Sequence, residues 1–258
     1  MKEAKRIVIK VGTSTLTHET GKTNIRRMAQ LCAVLADLHN AGRDVVLVTS
    51  GAIGVGVGKL GLPEKPQDIP GRQAAASVGQ TELMFMYDKF FSEYGQKIGQ
   101  LLVTKSDFEN EERRENLFNA FCQLFAYGAI PIVNENDSVA TEEIVYGDND
   151  SLSAIVAVLT DADLLVSLTD TDGLFDQNPH ENPNANLIPV VETITPETEA
   201  LCGGAGTARG TGGMLTKLHA AQTAAKSGIP TVVMNGKDPQ ALYRLLDGEP
   251  TGTLFLGK

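Results

Sequence analysis

Three glycine-containing turns and two lysines are the residues of this chain best suited to bind a phosphate group. The turns are Gly12–Ser14, Ser50–Ala52 and Gly212–Gly213, and each is predicted to lie between a strand and a helix. Backbone N–H groups at a helix start, together with the positive end of the helix dipole, attract anions. Lys10 stands inside an apolar strand segment, and Lys217 follows the third turn by about one helical turn. The set favours an anion site, and a buried Lys10 also needs a counter-charge.

Residues 133–154, VNENDSVATEEIVYGDNDSLSA, form the other concentration of polar side chains. Asn and Asp often form turns and cap helices, so Asp148 or Asn149 alone could be a helix cap. The segment follows a predicted strand, however, and in open α/β sheets ligands bind outside the carboxyl ends of the strands. We therefore expect these side chains to face the glycine turns.

The elements that position these residues are strands and helices in alternation. Apolar segments rich in β-branched residues predict strands at 6–12, 44–50, 98–104, 129–135, 163–170 and 229–236. Helices are predicted at 24–40, 71–94, 109–127, 151–159 and 212–227. The alternation predicts an open, mostly parallel sheet with helices on both faces. No linker interrupts it, so we expect residues 1–258 to form a single domain.

Composition excludes several classes of function. A net charge of −10 and a pI near 4.9 argue against a general nucleic-acid or membrane-surface binder. Cys32, Cys122 and Cys202 are widely spaced and odd in number, which predicts small core residues in a reduced compartment rather than disulfides. No apolar segment is long enough to span a bilayer. We expect a cytoplasmic protein.

Other familiar motifs do not fit. Gly56, Gly58 and Gly61 match G-x-G-x-x-G but lie too far beyond the preceding strand for a dinucleotide site, and we interpret them as allowing a helix to pack closely on the sheet. Ser50 has no obvious histidine partner, which disfavours a serine nucleophile. The four histidines have no paired ligand spacing, so we predict no metal site built from protein ligands.

Six motifs taken together resemble the amino acid kinase family. They are VIKVGTS (8–14), VTSGAIGVG (48–56), VNENDSVA (133–140), YGDNDSLSA (146–154), LTDTDGLF (168–175) and GTGGMLTKL (210–218). Within the family they are most similar to members that phosphorylate glutamate. The resemblance implies a three-layer α/β/α sandwich that transfers the γ-phosphoryl group of ATP to the γ-carboxylate of L-glutamate, the first step of proline biosynthesis. Mg²⁺ is expected to be held mainly through the ATP phosphates. A carboxylate acceptor is already ionised at neutral pH, so no general base is required.

The resemblance also implies roles for individual residues. Catalytic roles fall to Lys10 and Lys217, which flank the transferred group, and to Asp150, which orients them. Further ATP-binding roles fall to Gly12, Thr13, Thr169, Asp170, Thr211, Gly212, Gly213 and Met214. Substrate-binding roles fall to Ser50, Gly51, Asn134, Asp137 and Asn149. Asp137 is the most specific of these, because a free ammonium group calls for an anionic partner whereas an N-acetylated substrate does not.

Further expectations follow from the same resemblance. Partners would be L-glutamate and ATP, proline as a feedback inhibitor, and glutamate-5-semialdehyde dehydrogenase as recipient of the labile product, with no nucleic acid or membrane. We also expect a homo-oligomer. Many members carry a C-terminal domain of the RNA-modification type, for which we expect no counterpart in this chain. Several carry a basic residue near Val145, a difference expected to affect substrate affinity or inhibition.

Alternative functions remain open at this point. Aspartokinases and N-acetylglutamate kinases typically begin with K-x-G-G, whereas Lys10 is followed by Val11 and Gly12. Nucleoside-monophosphate kinases would be expected to carry arginines at the NEND segment. Carbamate kinase is the closer enzymatic alternative, although carbamate has no amino-acid end for Asp137 to bind. A non-catalytic nucleotide-binding or storage protein on the same fold would be free to lose Lys10, Lys217 or Asp150.

Overall fold

A single mixed sheet runs through the protein. The computed structural model describes residues 1–18, 22–140, 149–179, 181–202 and 213–257. The strands of this part are β1 (Arg6–Val11), β2 (Asp44–Val48), β3 (Lys97–Val103), β4 (Ala129–Glu135), β5 (Leu164–Thr169), β6 (Val190–Val191), β7 (Thr231–Asn235) and β8 (Thr253–Phe255). They lie in the order β3-β4-β2-β1-β5-β7-β8-β6. Every pair is parallel except β7 with β8. The predicted mostly parallel sheet is confirmed, while the short β6 and β8 were not predicted.

Helices cover both faces of this sheet. They are α1 (Thr13–Leu16), α2 (Ile25–Asn40), α3 (Ala52–Leu60), α4 (Ile69–Ser92), α5 (Lys105–Glu109), α6 (Glu111–Ala126), α7 (Asn149–Leu159), α8 (Pro196–Leu201), α9 (Met214–Ala225) and α10 (Ala241–Leu246). The five predicted helices correspond to α2, α4, α6, α7 and α9. Helix α4 begins at Ile69 rather than Gly71 because the Asp68 carboxylate accepts a hydrogen bond from the Gly71 N–H and Pro70 occupies the first turn.

Alternation along the strands divides the buried residues between the two faces. In β1, Ile7 and Ile9 pack in the core beneath α2 and α4, whereas Val8 packs in the opposite core with residues of α7 and α9. Successive side chains of a strand point to opposite faces, so Lys10 shares the face of Val8. Asn134 of β4 instead follows Ile132, which faces α2 and α4. The sheet thus directs these two polar side chains to different layers.

Backbone contact between α3 and α4 corrects the interpretation of the glycine-rich segment. A Cβ atom on Gly56 would lie 1.7 Å from the Ala75 carbonyl oxygen, and one on Gly79 would lie 1.8 Å from that of Ala52. These glycines therefore let one helix pack on another helix rather than on the sheet. Gly61 ends α3 with a positive φ of 67°, and a Cβ atom on Gly58 would meet open space.

The cysteines are only partly as predicted. Cys32 and Cys202 are buried and free, but Cys122 is exposed on α6, because only one face of that helix packs against the sheet. Within the described ranges, no helix is long and apolar enough to cross a membrane.

Candidate active site

A buried ionic cluster lies at the carboxyl end of the central strands. The Asp150 carboxylate, in the first turn of α7, accepts from Lys10 Nζ at 2.5 Å and from Lys217 Nζ at 3.1 Å, through different oxygens. The side chains of Lys10, Lys217 and Asp150 are only 8%, 6% and 2% exposed. Thr216 donates to the same carboxylate at 2.7 Å, and the Ser167 hydroxyl lies 3.5 Å away. Lys10 thus has the counter-charge that its burial requires.

The protonation states in this cluster follow from burial and pairing. Burial alone would raise the pKa of Asp150, but the charges of Lys10 and Lys217 outweigh it and hold the pKa well below its ordinary value. Burial lowers the pKa of Lys217, while the attraction of Asp150 acts in the opposite direction. With both lysines protonated, the three groups carry one excess positive charge, which favours binding of an anion.

The first two glycine turns lie side by side. Gly12 caps α1, and a Cβ atom there would lie 3.9 Å from Lys10 Nζ, so the absent side chain leaves the ammonium group approachable. Gly51 caps α3 with a φ of 94°, a conformation that strongly favours glycine. The Ser50 hydroxyl donates to the Val11 carbonyl at 3.0 Å and lies 3.4 Å from the Thr13 hydroxyl. The backbone N–H groups at the starts of α1 and α3 therefore lie side by side at the carboxyl ends of β1 and β2.

Side-chain amides form a second buried group. Asn149 Nδ2 donates to the Thr49 carbonyl at 2.8 Å and to Asn134 Oδ1 at 3.0 Å. Asn134 Nδ2 donates in turn to Gln80 Oε1 at 2.8 Å. Because Asn149 and Asp150 are adjacent in α7, the amide group and the ionic cluster meet at the start of that helix.

Asp137 lies in the loop after β4 and is half-buried. Burial and the negative charge of Glu135 raise the pKa of Asp137 to about 6, against a smaller opposing effect of Lys65. A carboxylate in such a position gains from a cationic ligand, because an ammonium group would replace the solvation that burial removes.

Four more of the predicted residues, Thr169, Asp170, Gly213 and Met214, lie near Lys217. Thr169 ends β5 and donates to the Asp170 carboxylate at 3.2 Å, and Asp170 is close enough to raise the pKa of Lys217. Gly213 and Met214 form the start of α9. Thr211, Gly212 and Val145 lie outside the described residues.

Three contributors were missed by sequence reasoning. Thr216 precedes Lys217 inside a motif already singled out, and Ser167 interrupts an apolar strand two residues before Thr169. Both were detectable, since polar residues at buried positions need partners. Gln80 carries no local signal, because its partner Asn134 lies 54 residues away.

The arrangement is suited to charge stabilisation rather than covalent catalysis. Two ammonium groups and several helix starts can hold the phosphates of a nucleotide, and a carboxylate with amides can hold a small zwitterion. In the described part of the chain, no group of three or more His, Cys, Asp or Glu side chains is arranged to hold a metal ion.

The chain is similar to known proteins over nearly its whole length. The model of the amino acid kinase family matches residues 5–235. A glutamate 5-kinase of Moorella thermoacetica is 55% identical over 99% of this chain and 68% of its own, and one of Clostridium perfringens is 50% identical over 100% and 97%.

Solved structures support the three-layer α/β/α fold. A carbamate kinase of Giardia lamblia bound to AMP-PNP superposes with a TM-score of 0.69 at 16% identity, over 99% of both chains. A UMP kinase of Bacillus anthracis gives a TM-score of 0.65 at 16% identity, over 99% of this chain and 97% of its own. The chain therefore belongs to the amino acid kinase family, and curated glutamate 5-kinases match it over nearly its whole length.

Proposed function

We propose that this chain transfers the γ-phosphoryl group of ATP to the γ-carboxylate of L-glutamate, giving L-glutamyl 5-phosphate, the first step of proline biosynthesis. The observation that carries the proposal is the buried Asp150 held between Lys10 and Lys217. The names of the full-length relatives support glutamate as the acceptor.

The ionic cluster would act on the transferring phosphoryl group. Lys10 and Lys217 reach Asp150 from different elements, β1 and α9, so their ammonium groups are preorganised before ATP binds. Such groups stabilise charge that develops on phosphoryl oxygens without reorganising during the reaction. The helix starts at Gly12 and Gly213 would hold phosphate oxygens, with Thr13, Thr169, Asp170 and Met214 around the nucleotide. Mg²⁺ would be held mainly through the ATP phosphates and would neutralise part of their charge.

The other end of the site would hold glutamate. The helix start at Ser50 and Gly51 would direct N–H groups at the γ-carboxylate, which is ionised and needs no proton removed. Asp137 would pair with the ammonium group, and Asn134 and Asn149 would fix the amino-acid end. The γ-carboxylate, held between these groups and the two lysines, would receive the phosphoryl group at the carboxyl end of β1.

Two alternatives are weaker. Carbamate kinase shares the fold, but a match at 16% identity supports the fold alone, and carbamate has no ammonium group for Asp137. A non-catalytic nucleotide-binding or storage protein would have no need of the buried pairing of Asp150 with two lysines, which is costly to maintain.

The wider setting is also proposed. We infer one domain over residues 1–258, a cytoplasmic location, assembly as a homo-oligomer, and handover of the labile acyl phosphate to glutamate-5-semialdehyde dehydrogenase. Proline keeps an α-carboxylate and a cationic nitrogen but lacks the γ-carboxylate, so it would occupy the end near Asp137 without being phosphorylated. Initial rates over a grid of glutamate and proline concentrations would test this, and inhibition that glutamate fails to relieve would indicate a separate site.

The acceptor can be tested directly. The purified protein is incubated with Mg-ATP, hydroxylamine and, in turn, L-glutamate, L-aspartate, N-acetyl-L-glutamate or carbamate, with ADP release measured in parallel. Hydroxamate and ADP should form with L-glutamate alone. ADP release with carbamate instead would support carbamate kinase. Nucleotide binding without ADP release for any acceptor would support the non-catalytic alternative.

A further inference from the structure

The buried amides form a chain whose direction is fixed at one end. The Thr49 carbonyl can only accept, so the Asn149 atom facing it must be Nδ2, at 2.8 Å. The second hydrogen of Asn149 Nδ2 points to Asn134, which must therefore present Oδ1, at 3.0 Å. Asn134 Nδ2 then faces Gln80, which must present Oε1, at 2.8 Å. Turning any one amide over would set two donors or two acceptors against each other.

This direction leaves one acceptor and one donor unused. Asn149 Oδ1 and Gln80 Nε2 are both buried and have no hydrogen-bond partner within the described ranges, and Gln80 as a whole is 9% exposed. A buried polar group without a partner is costly, and rotating the Gln80 amide would only transfer that cost to Asn134. The two unused groups are therefore suited to a ligand that brings an acceptor and a donor.

Gln80 lies on the face of α4 that borders the loop carrying Asp137. One helical turn earlier, the Ser77 hydroxyl lies 2.8 Å from that of Ser138, which follows Asp137 directly. Close packing of α3 on α4 through Gly79 also fixes the position of this part of α4. Gln80 therefore lies in the wall of the region proposed above to bind the amino-acid end of glutamate.

We propose that Gln80 is a further substrate-binding residue: its Nε2 donates a hydrogen bond to the α-carboxylate of the amino-acid substrate, while its Oε1 holds Asn134 in position. An α-amino acid carries a carboxylate that accepts and an ammonium group that donates, which matches Gln80 Nε2 and Asn149 Oδ1. The inference rests on the proposed function, since it assigns a group of the same substrate.

Two variants separate the two atoms of the Gln80 amide. Gln80→Glu keeps an acceptor for Asn134 Nδ2 but replaces the donor by a negative oxygen. Gln80→Met keeps the length of the side chain and removes both polar groups. Each should raise KM for glutamate by about 10- to 100-fold, with KM for ATP changed less than about twofold. Gln123→Glu, on the exposed side of α6, is the matched control and should leave both constants unchanged.

A substrate analogue tests the contact itself. 4-Aminobutyrate is glutamate without the α-carboxylate, so its inhibition constant against glutamate should be nearly the same for wild type and Gln80→Met. Equal weakening of glutamate and 4-aminobutyrate would overturn the proposal, because it would indicate general damage to the pocket. Unchanged KM for glutamate in both variants would overturn it as well. If the wild type forms no hydroxamate from glutamate, the proposed function fails instead, and binding of proline to wild type and Gln80→Met, measured by calorimetry, still tests the α-carboxylate contact.

Discussion

Two buried polar groups meet at the start of α7, and they are built differently. In the ionic cluster, both carboxylate oxygens of Asp150 are engaged by lysines of the protein itself. In the amide chain, the groups are neutral, and Gln80 Nε2 and Asn149 Oδ1 are left without partners among the described residues. An unpaired charge in a protein interior costs much more free energy than an unpaired neutral amide. A neutral amide can therefore remain without a partner until a ligand binds.

The two carboxylates of the site show the same difference. Asp150 has a lowered pKa, because the charges of Lys10 and Lys217 outweigh its burial, while the pKa of Asp137 is raised by burial and by Glu135. At neutral pH, ionisation of Asp150 therefore stabilises the folded chain relative to the protonated form, whereas ionisation of Asp137 destabilises it. A carboxylate that costs stability is typical of a functional group whose partner arrives with the substrate.

Removing the charge at the centre of the ionic cluster should have the largest effect. Asp150→Asn would remove the carboxylate that pairs with both buried ammonium groups, and we expect the free energy of unfolding to fall by about 3–5 kcal/mol. Urea unfolding at pH 7 measures it, with exposed Asp88→Asn as the control. The wild-type contribution of Asp150 is present above its unfolded pKa and should be lost as pH falls below about 3.9 toward the lowered folded value. A change below about 1 kcal/mol would contradict this account.

Removing one cation should act mainly on the rate. Lys217→Ala should lower kcat by about 100- to 1,000-fold and raise KM for ATP much less, because the ammonium group meets charge that develops during transfer. Lys226→Ala, exposed at the end of the same helix, is the matched control. Steady-state kinetics with varied ATP and glutamate separate the two constants. Near wild-type turnover by Lys217→Ala would refute the assignment.

Removing the negative charge of Asp137, at the end of the site proposed to hold glutamate, should weaken glutamate binding rather than slow phosphoryl transfer. Asp137→Asn should raise KM for glutamate by roughly 10- to 100-fold, the expected cost of a lost hydrogen bond to a charged group, and leave KM for ATP nearly unchanged. The exposed Asp247→Asn should change neither constant. Equal increases in both KM values would point to a role in folding or nucleotide binding.

Local patterns predicted the layers of the fold, and they singled out most residues of the candidate site, whose roles stay predictions. Alternation placed Lys10 in a buried strand, and its burial demanded a counter-charge, which the structure supplies through Asp150. The short β6 and β8 and the four-residue α1 were not predictable, because each has too few residues to show a repeating pattern of apolar side chains. Gly56 was wrongly assigned to contact with the sheet. A small residue indicates that another element packs closely against it, but not whether that element is a strand or a helix.

Gln80 shows what remains beyond local patterns. It lies mid-helix among apolar and small residues, and glutamine is an ordinary helix former there. Only the packing of α4 beside β4, which brings Gln80 to Asn134 across 54 residues, reveals its significance. The direction of the amide chain then depends on a backbone carbonyl, that of Thr49, which no pattern of side chains encodes.

The smallest expected effect is the pH dependence of glutamate binding, which distinguishes Asp137 from Asp150. With a pKa of about 6, Asp137 is about nine-tenths protonated at pH 5 and ionised at pH 8, so KM for glutamate should be roughly tenfold higher at pH 5. The γ-carboxylate of glutamate, with an ordinary pKa of about 4.3, remains mostly ionised throughout this range. Asp137→Asn should remove the pH dependence and leave a uniformly high KM. Asp137→Asn should also be at least as stable as the wild type at pH 8. A carboxyl group with a raised pKa contributes its full stabilisation below its pKa in the unfolded chain, and this contribution is lost as pH rises through the folded pKa of about 6. Initial rates from pH 5 to 8 and melting temperatures at pH 8 test both points, and a profile that persists in Asp137→Asn would assign the titration to another group.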